Sequence, residues 1–150
     1  MKIGLFGGSF DPVHLGYLLV ARAALEELGL ARLIFIPAAQ SPSTFKPNVA
    51  PATALVRLQL LRLALAGETA CEIDDFEIRR GGLSYTIATL RHYAGKTSGA
   101  ALFYLIGSDQ AALLPEYMFR QVRRENSAKL ALDAMEKRVL LSRSIVLLGR

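Results

Sequence analysis

The imidazole of His14 and the ammonium of Lys46 are the side chains in this sequence best suited to holding a phosphate. His14 belongs to Gly7-Gly8-Ser9-Phe10-Asp11-Pro12-Val13-His14-Leu15-Gly16-Tyr17, which follows the apolar run Ile3-Gly4-Leu5-Phe6 and precedes a helical pattern. A strand turning through Gly-Gly into a helix start aims backbone N–H groups at one spot. That spot carries the positive end of the helix dipole, which suits a phosphate. Alone, such a junction is structural more often than not; His14 raises the odds of an anion site, because an imidazole on a first helical turn is poorly placed for the dipole unless an anion neutralises it. Lys46 lies in a polar, proline-containing loop spanning residues 38–50. It is either a mobile point charge for a phosphate or a solvated loop lysine, and both readings stand.

A second polar junction, Gly107-Ser108-Asp109-Gln110, follows the apolar run 100–106. Asp109 suits a ribose hydroxyl as acceptor, or the cap of the next helix, which is the commoner use. Tyr85 and Thr86 either line a pocket or open a helix, and Tyr117 either stacks on a flat ring or packs as core. The glycine turn is neither a Gly-x-Gly-x-x-Gly dinucleotide fingerprint nor a P-loop. No Ser–His–Asp order, His-x-x-His zinc pattern or carboxylate pair stands out, Cys71 reads as a partly buried inert thiol, and His92 reads as structural. With no activated nucleophile in view, direct displacement between two bound phosphorylated substrates is the economical mechanism.

The elements that must position these groups follow in chain order. Leu18, Ala21, Leu25 and Leu28 have helical spacing, and Gly29 sits at a C-cap position. Leu33-Ile34-Phe35-Ile36, closed by Pro37, reads as a buried parallel strand. Strand, helix and strand form a βαβ unit, with a right-handed crossover expected. Pro51 suits the first turn of a helix with Leu55, Leu58, Leu61 and Leu65 apolar, ending at Gly67. Cys71 to Ile78 partly alternates and reads as a more exposed strand, followed by a turn at Arg79-Arg80-Gly81-Gly82. Ser84 or Thr86 is expected to cap a helix carrying Ile87, Leu90 and Tyr93. Late in the chain, Ser127 is expected to cap a helix with Leu132, Met135 and Val139 inward, and Ile145-Val146-Leu147-Leu148 to form a closing strand. Two polar junctions at strand C-termini, each opening a helix, define the kind of crevice where doubly wound sheets bind ligands.

The 150 residues, 52% apolar and 21% charged, suit one globular domain and exclude a disordered chain. One cysteine excludes an internal disulfide framework and a multi-cysteine zinc site. No run approaches a membrane span, and the N-terminus lacks a signal-peptide pattern, so a cytoplasmic protein with no membrane partner is expected. The net charge of +5 is concentrated from Arg120 onward. A solvated surface is the expected reading of that excess, and nucleic acid is not an expected partner, because the nearby aromatics do not repeat in a stacking pattern.

Gly8 to Gly16 resembles the N-terminal signature of the nucleotidyltransferases whose hallmark is His-x-Gly-His. The Lys46 loop, the stretch Glu77 to Ile87 with Thr89-Leu90, and Ile106 to Asp109 through Leu114-Pro115 narrow the likeness to the bacterial nicotinate-nucleotide adenylyltransferases. The four stretches cover residues 1 to about 122, in family order. The resemblance implies an α/β, Rossmann-like, three-layer fold with a mostly parallel sheet and an altered C-terminal edge. It implies a nucleotidyltransferase domain over 1–122, with 123–150 a divergent helix and strand packed on it. It also implies adenylyl transfer from ATP to nicotinate mononucleotide, giving deamido-NAD and pyrophosphate, with Mg²⁺ accompanying the triphosphate. Gly8, Ser9, Phe10, His14, Gly16, Gly107 and Asp109 would hold ATP, with His14 and Lys46 at the reacting phosphates. Tyr85, Thr86 and Tyr117 would contact the nicotinate substrate.

Three departures temper that reading. Tyr17 stands where the second histidine belongs, and Phe45 precedes Lys46 where histidine is common. The late Ile-Ser-Ser-Thr-x-x-Arg motif is absent. A phenol donates one hydrogen bond but brings no positive charge near neutrality. A non-catalytic nucleotide-binding or interaction module is therefore the alternative from another class. A sister adenylyltransferase of the phosphopantetheine type is the alternative among enzymes, although Ser84-Tyr85-Thr86 argues against it. A homo-oligomer is left open.

Overall fold

The computed structural model describes residues 1–41, 51–97, 99–107, 139–142 and 145–149. Their elements are β1 (Lys2–Gly8), α1 (Leu15–Leu28), β2 (Arg32–Pro37), α2 (Ala54–Ala64), β3 (Cys71–Ile73), α3 (Phe76–Arg80), α4 (Thr86–Lys96), β4 (Ala101–Gly107), β5 (Val139–Ser142) and β6 (Ile145–Gly149). They build a sheet of order β3-β2-β1-β4-β6-β5, parallel from β3 to β4. The β6 strand lies antiparallel to both β4 and β5.

Strand periodicity explains the layers. Successive side chains point to opposite faces, so a fully apolar strand feeds two cores. Ile3 and Leu5 of β1, Ile34 and Ile36 of β2, and Leu102, Tyr104 and Ile106 of β4 pack with Phe76 of α3 and Tyr93 of α4. The alternate residues Phe6, Leu33, Phe35 and Leu105 pack with Ala21 and Ala24 of α1 and Leu61 of α2. Helices therefore cover both faces, giving the three-layer, mostly parallel architecture expected. Gly29 closes α1 at φ 59, with its N–H donated to Leu25 and Glu26 carbonyls.

Several local expectations are corrected. The strand read over Cys71 to Ile78 stops at Ile73, because the Asp74 carboxylate accepts the Phe76 N–H at 3.0 Å and turns the chain into α3. Neither Ser84 nor Thr86 caps α4. Tyr85 holds the N-cap position, while the Ser84 hydroxyl accepts the Ala39 N–H at 3.0 Å. Helix α2 starts at Ala54 behind a Thr53 cap, not at Pro51. Leu55 faces solvent at 62% exposure, whereas Arg57 is buried. Val139, expected on a helix, lies in β5; Ser127, Leu132 and Met135 lie outside the described residues. The late strand is present as β6, antiparallel between β4 and the edge strand β5.

Candidate functional site

The order β3-β2-β1-β4 reverses direction at β1, because the chain leaves β1 toward β2 and later returns to β4 on its other side. Such a switch point opens a crevice beyond the strand C-termini. Phe6 pairs with Leu105, so Gly8 and Gly107, two residues on, reach the crevice at the same level.

His14 is the N-cap of α1, with an extended backbone at φ −144 and ψ 170. Its Nδ1 accepts the N–H of Gly16 at 3.2 Å. A ring whose Nδ1 accepts carries its proton on Nε2, the nitrogen turned away from the helix. Gly16 makes this possible, since a Cβ there would lie 2.9 Å from His14 Cε1 and 3.0 Å from Nδ1. The expected conflict between imidazole and dipole is thus resolved by the ring acting as a cap acceptor. Behind it, the Tyr17 ring lies 4.5 Å from the His14 ring and 5.0 Å from the Phe10 ring.

The turn between β1 and α1 is tied to its surroundings by the Gly8 and Ser9 carbonyls and by the Asp11 carboxylate. Gly8 accepts the Ala38 N–H at 2.9 Å. Ser9 accepts from the Arg57 guanidinium at 2.6 Å. Asp11 accepts the Ala52 N–H at 3.0 Å. Phe10 adopts a left-handed φ of 48, disfavoured for a residue with a Cβ, and buries its ring completely against Phe6 and Phe35.

Thr86, at the start of α4, hydrogen-bonds the hydroxyl of Tyr104. That hydroxyl occupies the space above Gly7, where a Cβ would fall only 2.0 Å from it. Burial first, then the charge of Glu77, pushes the Tyr104 phenol up to about 12, while the bond to Thr86 opposes them; it stays neutral. Below, the Thr89 hydroxyl donates to the buried Glu77 carboxylate. Thr86 is thereby joined to the β1 turn through Tyr104, and Tyr85 stands beside it, half-buried.

The structure brings Gly8, Ser9, Phe10, His14, Gly16 and Gly107 to one end of the sheet, with Thr86 reaching the same layer. Lys46, Asp109 and Tyr117 lie outside the described residues. His92 stacks on Phe76 at 4.1 Å within the α3–α4 face, and burial holds its pKa below the ordinary value. Cys71 is half-buried on β3, and burial pushes its thiol up. Reading the sequence missed Arg57 and Tyr104. Arg57 precedes Leu61 and Leu65 at helical spacing, so an arginine in an apolar stripe was the available signal. Tyr104 carried none beyond a hydroxyl inside an apolar strand.

The profile of the cytidylyltransferase-like family matches residues 5–142. The chain belongs to this family. Within it, the chain is 43% identical over 122 residues to a probable nicotinate-nucleotide adenylyltransferase of Opitutus terrae, covering 81% of this chain and 60% of that protein. It is 45% identical over 105 residues to a probable nicotinate-nucleotide adenylyltransferase of Aquifex aeolicus, covering 70% and 61% respectively. The chain thus spans about three-fifths of the length of these two relatives. The fold resembles that of the Plasmodium falciparum nicotinic acid mononucleotide adenylyltransferase solved with NaAD, with a TM-score of 0.61 and 14% identity. That likeness covers 77% of this chain and 54% of the other. The α/β, Rossmann-like arrangement is therefore the one found in this family.

Proposed function

We propose that this chain binds ATP and nicotinate mononucleotide in the crevice between β1 and β4 and transfers the adenylyl group. A phosphate oxygen of the mononucleotide attacks the α-phosphorus of ATP, and the bond from that phosphorus to the bridging oxygen of pyrophosphate breaks. The products are deamido-NAD and pyrophosphate. Mg²⁺ enters as part of the ATP substrate, held by phosphate oxygens.

The observation that carries this reading is His14. Its Nδ1 accepts the Gly16 N–H, so its Nε2–H is the donor facing outward at the first turn of α1. Gly8, Ser9 and Phe10 contribute main-chain N–H groups beside it, and Lys46 adds a positive charge over the phosphates. Gly107 and Asp109 meet the adenosine, and Tyr85, Thr86 and Tyr117 the nicotinate nucleotide. The similarity to proteins named nicotinate-nucleotide adenylyltransferases supports the choice of substrates. Positioning and stabilisation of charge on the transferring phosphorus account for the rate, with no covalent intermediate.

A second reading, nucleotide binding without turnover, is favoured by Tyr17. Its ring packs with Phe6, Phe10 and His14, and it replaces a group able to carry positive charge. Incubation with ATP and nicotinate mononucleotide separates the two. Release of pyrophosphate with deamido-NAD supports transfer, while ATP binding with no release at high protein concentration supports the binding module.

A further inference from the structure

Pro37 ends β2, and residues 38–40 then hydrogen-bond to two separate parts of the chain. The Ala38 N–H donates to the Gly8 carbonyl at 2.9 Å. The Ala39 N–H donates to the Ser84 hydroxyl at 3.0 Å, and the Ser84 N–H donates to the Gln40 carbonyl at 2.9 Å. Leu83 and Gln40 form a parallel bridge beside these bonds. The three residues are also held by Arg57, which is 5% exposed. Its guanidinium donates to the carbonyls of Ser9 at 2.6 Å, Ala38 at 2.7 Å and Ala39 at 3.2 Å. The β1 turn, residues 38–40 and the approach to α4 are thus one hydrogen-bonded unit.

Ser84 immediately precedes Tyr85, the N-cap of α4, and Thr86, its first residue. Both are half-buried, so each keeps surface for a ligand. A serine at a helix start ordinarily spends its oxygen on the helix's own first turn. Here the N-cap makes no side-chain bond, and the Ser84 oxygen is spent on Ala39 instead. The side chain therefore fixes where α4 begins relative to residues 38–40. Thr86 has a second tie, at the Tyr104 hydroxyl, so loss of the Ser84 oxygen would loosen this start without releasing it.

We infer that Ser84 is a positioning residue for the mononucleotide substrate: its bonds to Ala39 and Gln40 set where Tyr85 and Thr86 stand relative to Gly8 and His14. Ser84 is buried and touches no substrate itself. The inference rests on the adenylyl-transfer reading, which places nicotinate mononucleotide against Tyr85 and Thr86. It gives the two substrates different dependences. ATP meets the β1 turn, which keeps its bonds to Ala38 and Arg57 when the Ser84 hydroxyl is removed. The mononucleotide meets the end that loses a restraint.

The test uses the full chain as wild type and Ser84→Ala, with ATP and nicotinate mononucleotide titrated separately by calorimetry. Ser84→Ala should bind the mononucleotide about tenfold more weakly, with ATP affinity within about twofold of wild type. Coupling of this kind is reciprocal, so bound mononucleotide must strengthen the tether by the same factor. In the wild type, hydrogen exchange at the Ala39 amide should therefore slow by up to about tenfold with saturating mononucleotide, and by less than about twofold with ATP. Unchanged mononucleotide affinity in folded Ser84→Ala, or equal weakening of both ligands, overturns the inference. If the variant unfolds, the wild-type exchange decides, and an Ala39 amide indifferent to bound mononucleotide overturns it. A wild type that binds no mononucleotide overturns the inference together with the adenylyl-transfer reading. A wild type that binds both ligands but releases no pyrophosphate fails that reading alone, and the two affinities still decide the role of Ser84.

Discussion

The Nδ1 of His14 accepts the main-chain N–H of Gly16 at 3.2 Å, and this one bond assigns the imidazole two tasks. It caps α1, and it leaves the proton on the outward nitrogen. The tasks separate by mutation. His14→Asn retains a good N-cap, so its melting temperature should stay within about 3 °C of wild type, while pyrophosphate release falls by about a hundredfold. His14→Ala should lose the same activity and also about 1 kcal/mol of stability, measured by urea unfolding.

Gly16→Ala should divide stability from activity in the opposite sense. Alanine within a helix is ordinarily favoured over glycine by about 0.5–1 kcal/mol. Here the new methyl would meet the His14 ring at 2.9 Å, and the exposed ring can swing away. Thermal stability should stay near wild type, because the helical gain is offset by the lost cap, with release of pyrophosphate reduced about tenfold or more. A parallel fall in both quantities would place the fault in the helix rather than in the ring.

Tyr17→His restores a side chain able to carry charge beside His14. It also removes an aromatic ring that meets Phe6 at 5.8 Å and Phe10 at 5.0 Å. Pairs of this kind contribute about 0.5–1.5 kcal/mol each beyond area burial, so the variant should melt a few degrees lower. Its turnover should rise, by up to about a hundredfold if the new contact is charge-assisted. Steady-state rates with both substrates saturating, beside a melting curve, check both effects.

Gly7 is sterically committed. A Cβ there would fall 2.0 Å from the Tyr104 hydroxyl and 2.9 Å from its ring. Tyr104 is 6% exposed and hydrogen-bonded to Thr86, so it cannot swing aside. Gly7→Ala should cost about 1–3 kcal/mol in a urea titration. Adding Tyr104→Leu should recover part of the loss, and additive losses in the double variant would contradict the clash.

Acid sensitivity should arise partly at Asp74. Burial alone would raise its pKa, but the Tyr93 hydroxyl at 2.6 Å and the Phe76 N–H at 3.0 Å outweigh it and hold the carboxyl below its ordinary value. A group depressed on folding stabilises the fold above its unfolded pKa and loses that contribution as pH falls through the folded value. Urea midpoints measured downward from pH 7 should therefore drop below about pH 4 in the wild type and less steeply in Asp74→Asn.

Much of the architecture was legible because apolar runs such as Leu33 to Ile36 encode buried strands directly, and Gly29 marks a helix end. The turn after Gly8 was legible as a strand-to-helix junction, because Gly7-Gly8 closes an apolar run and helical spacing follows. Side-chain hydrogen bonds were harder to foresee. Asp74 ends β3 and Ser84 serves Ala39 instead of capping α4, and neither partner is near in sequence for the second. Arg57 was hidden because its partners are carbonyls, which every residue carries. The antiparallel pairing of β6 with β4 joins segments far apart in sequence, and no local pattern sets strand direction.

The central claim is that the crevice at Gly8 and His14 performs adenylyl transfer. The most direct measurement is pyrophosphate release from the purified, folded chain with MgATP and either nicotinate or nicotinamide mononucleotide, with the dinucleotide product identified. The account predicts release with formation of deamido-NAD from the nicotinate substrate, falling about a hundredfold in His14→Asn. No release above background at high protein concentration, or release undiminished in His14→Asn, would contradict it.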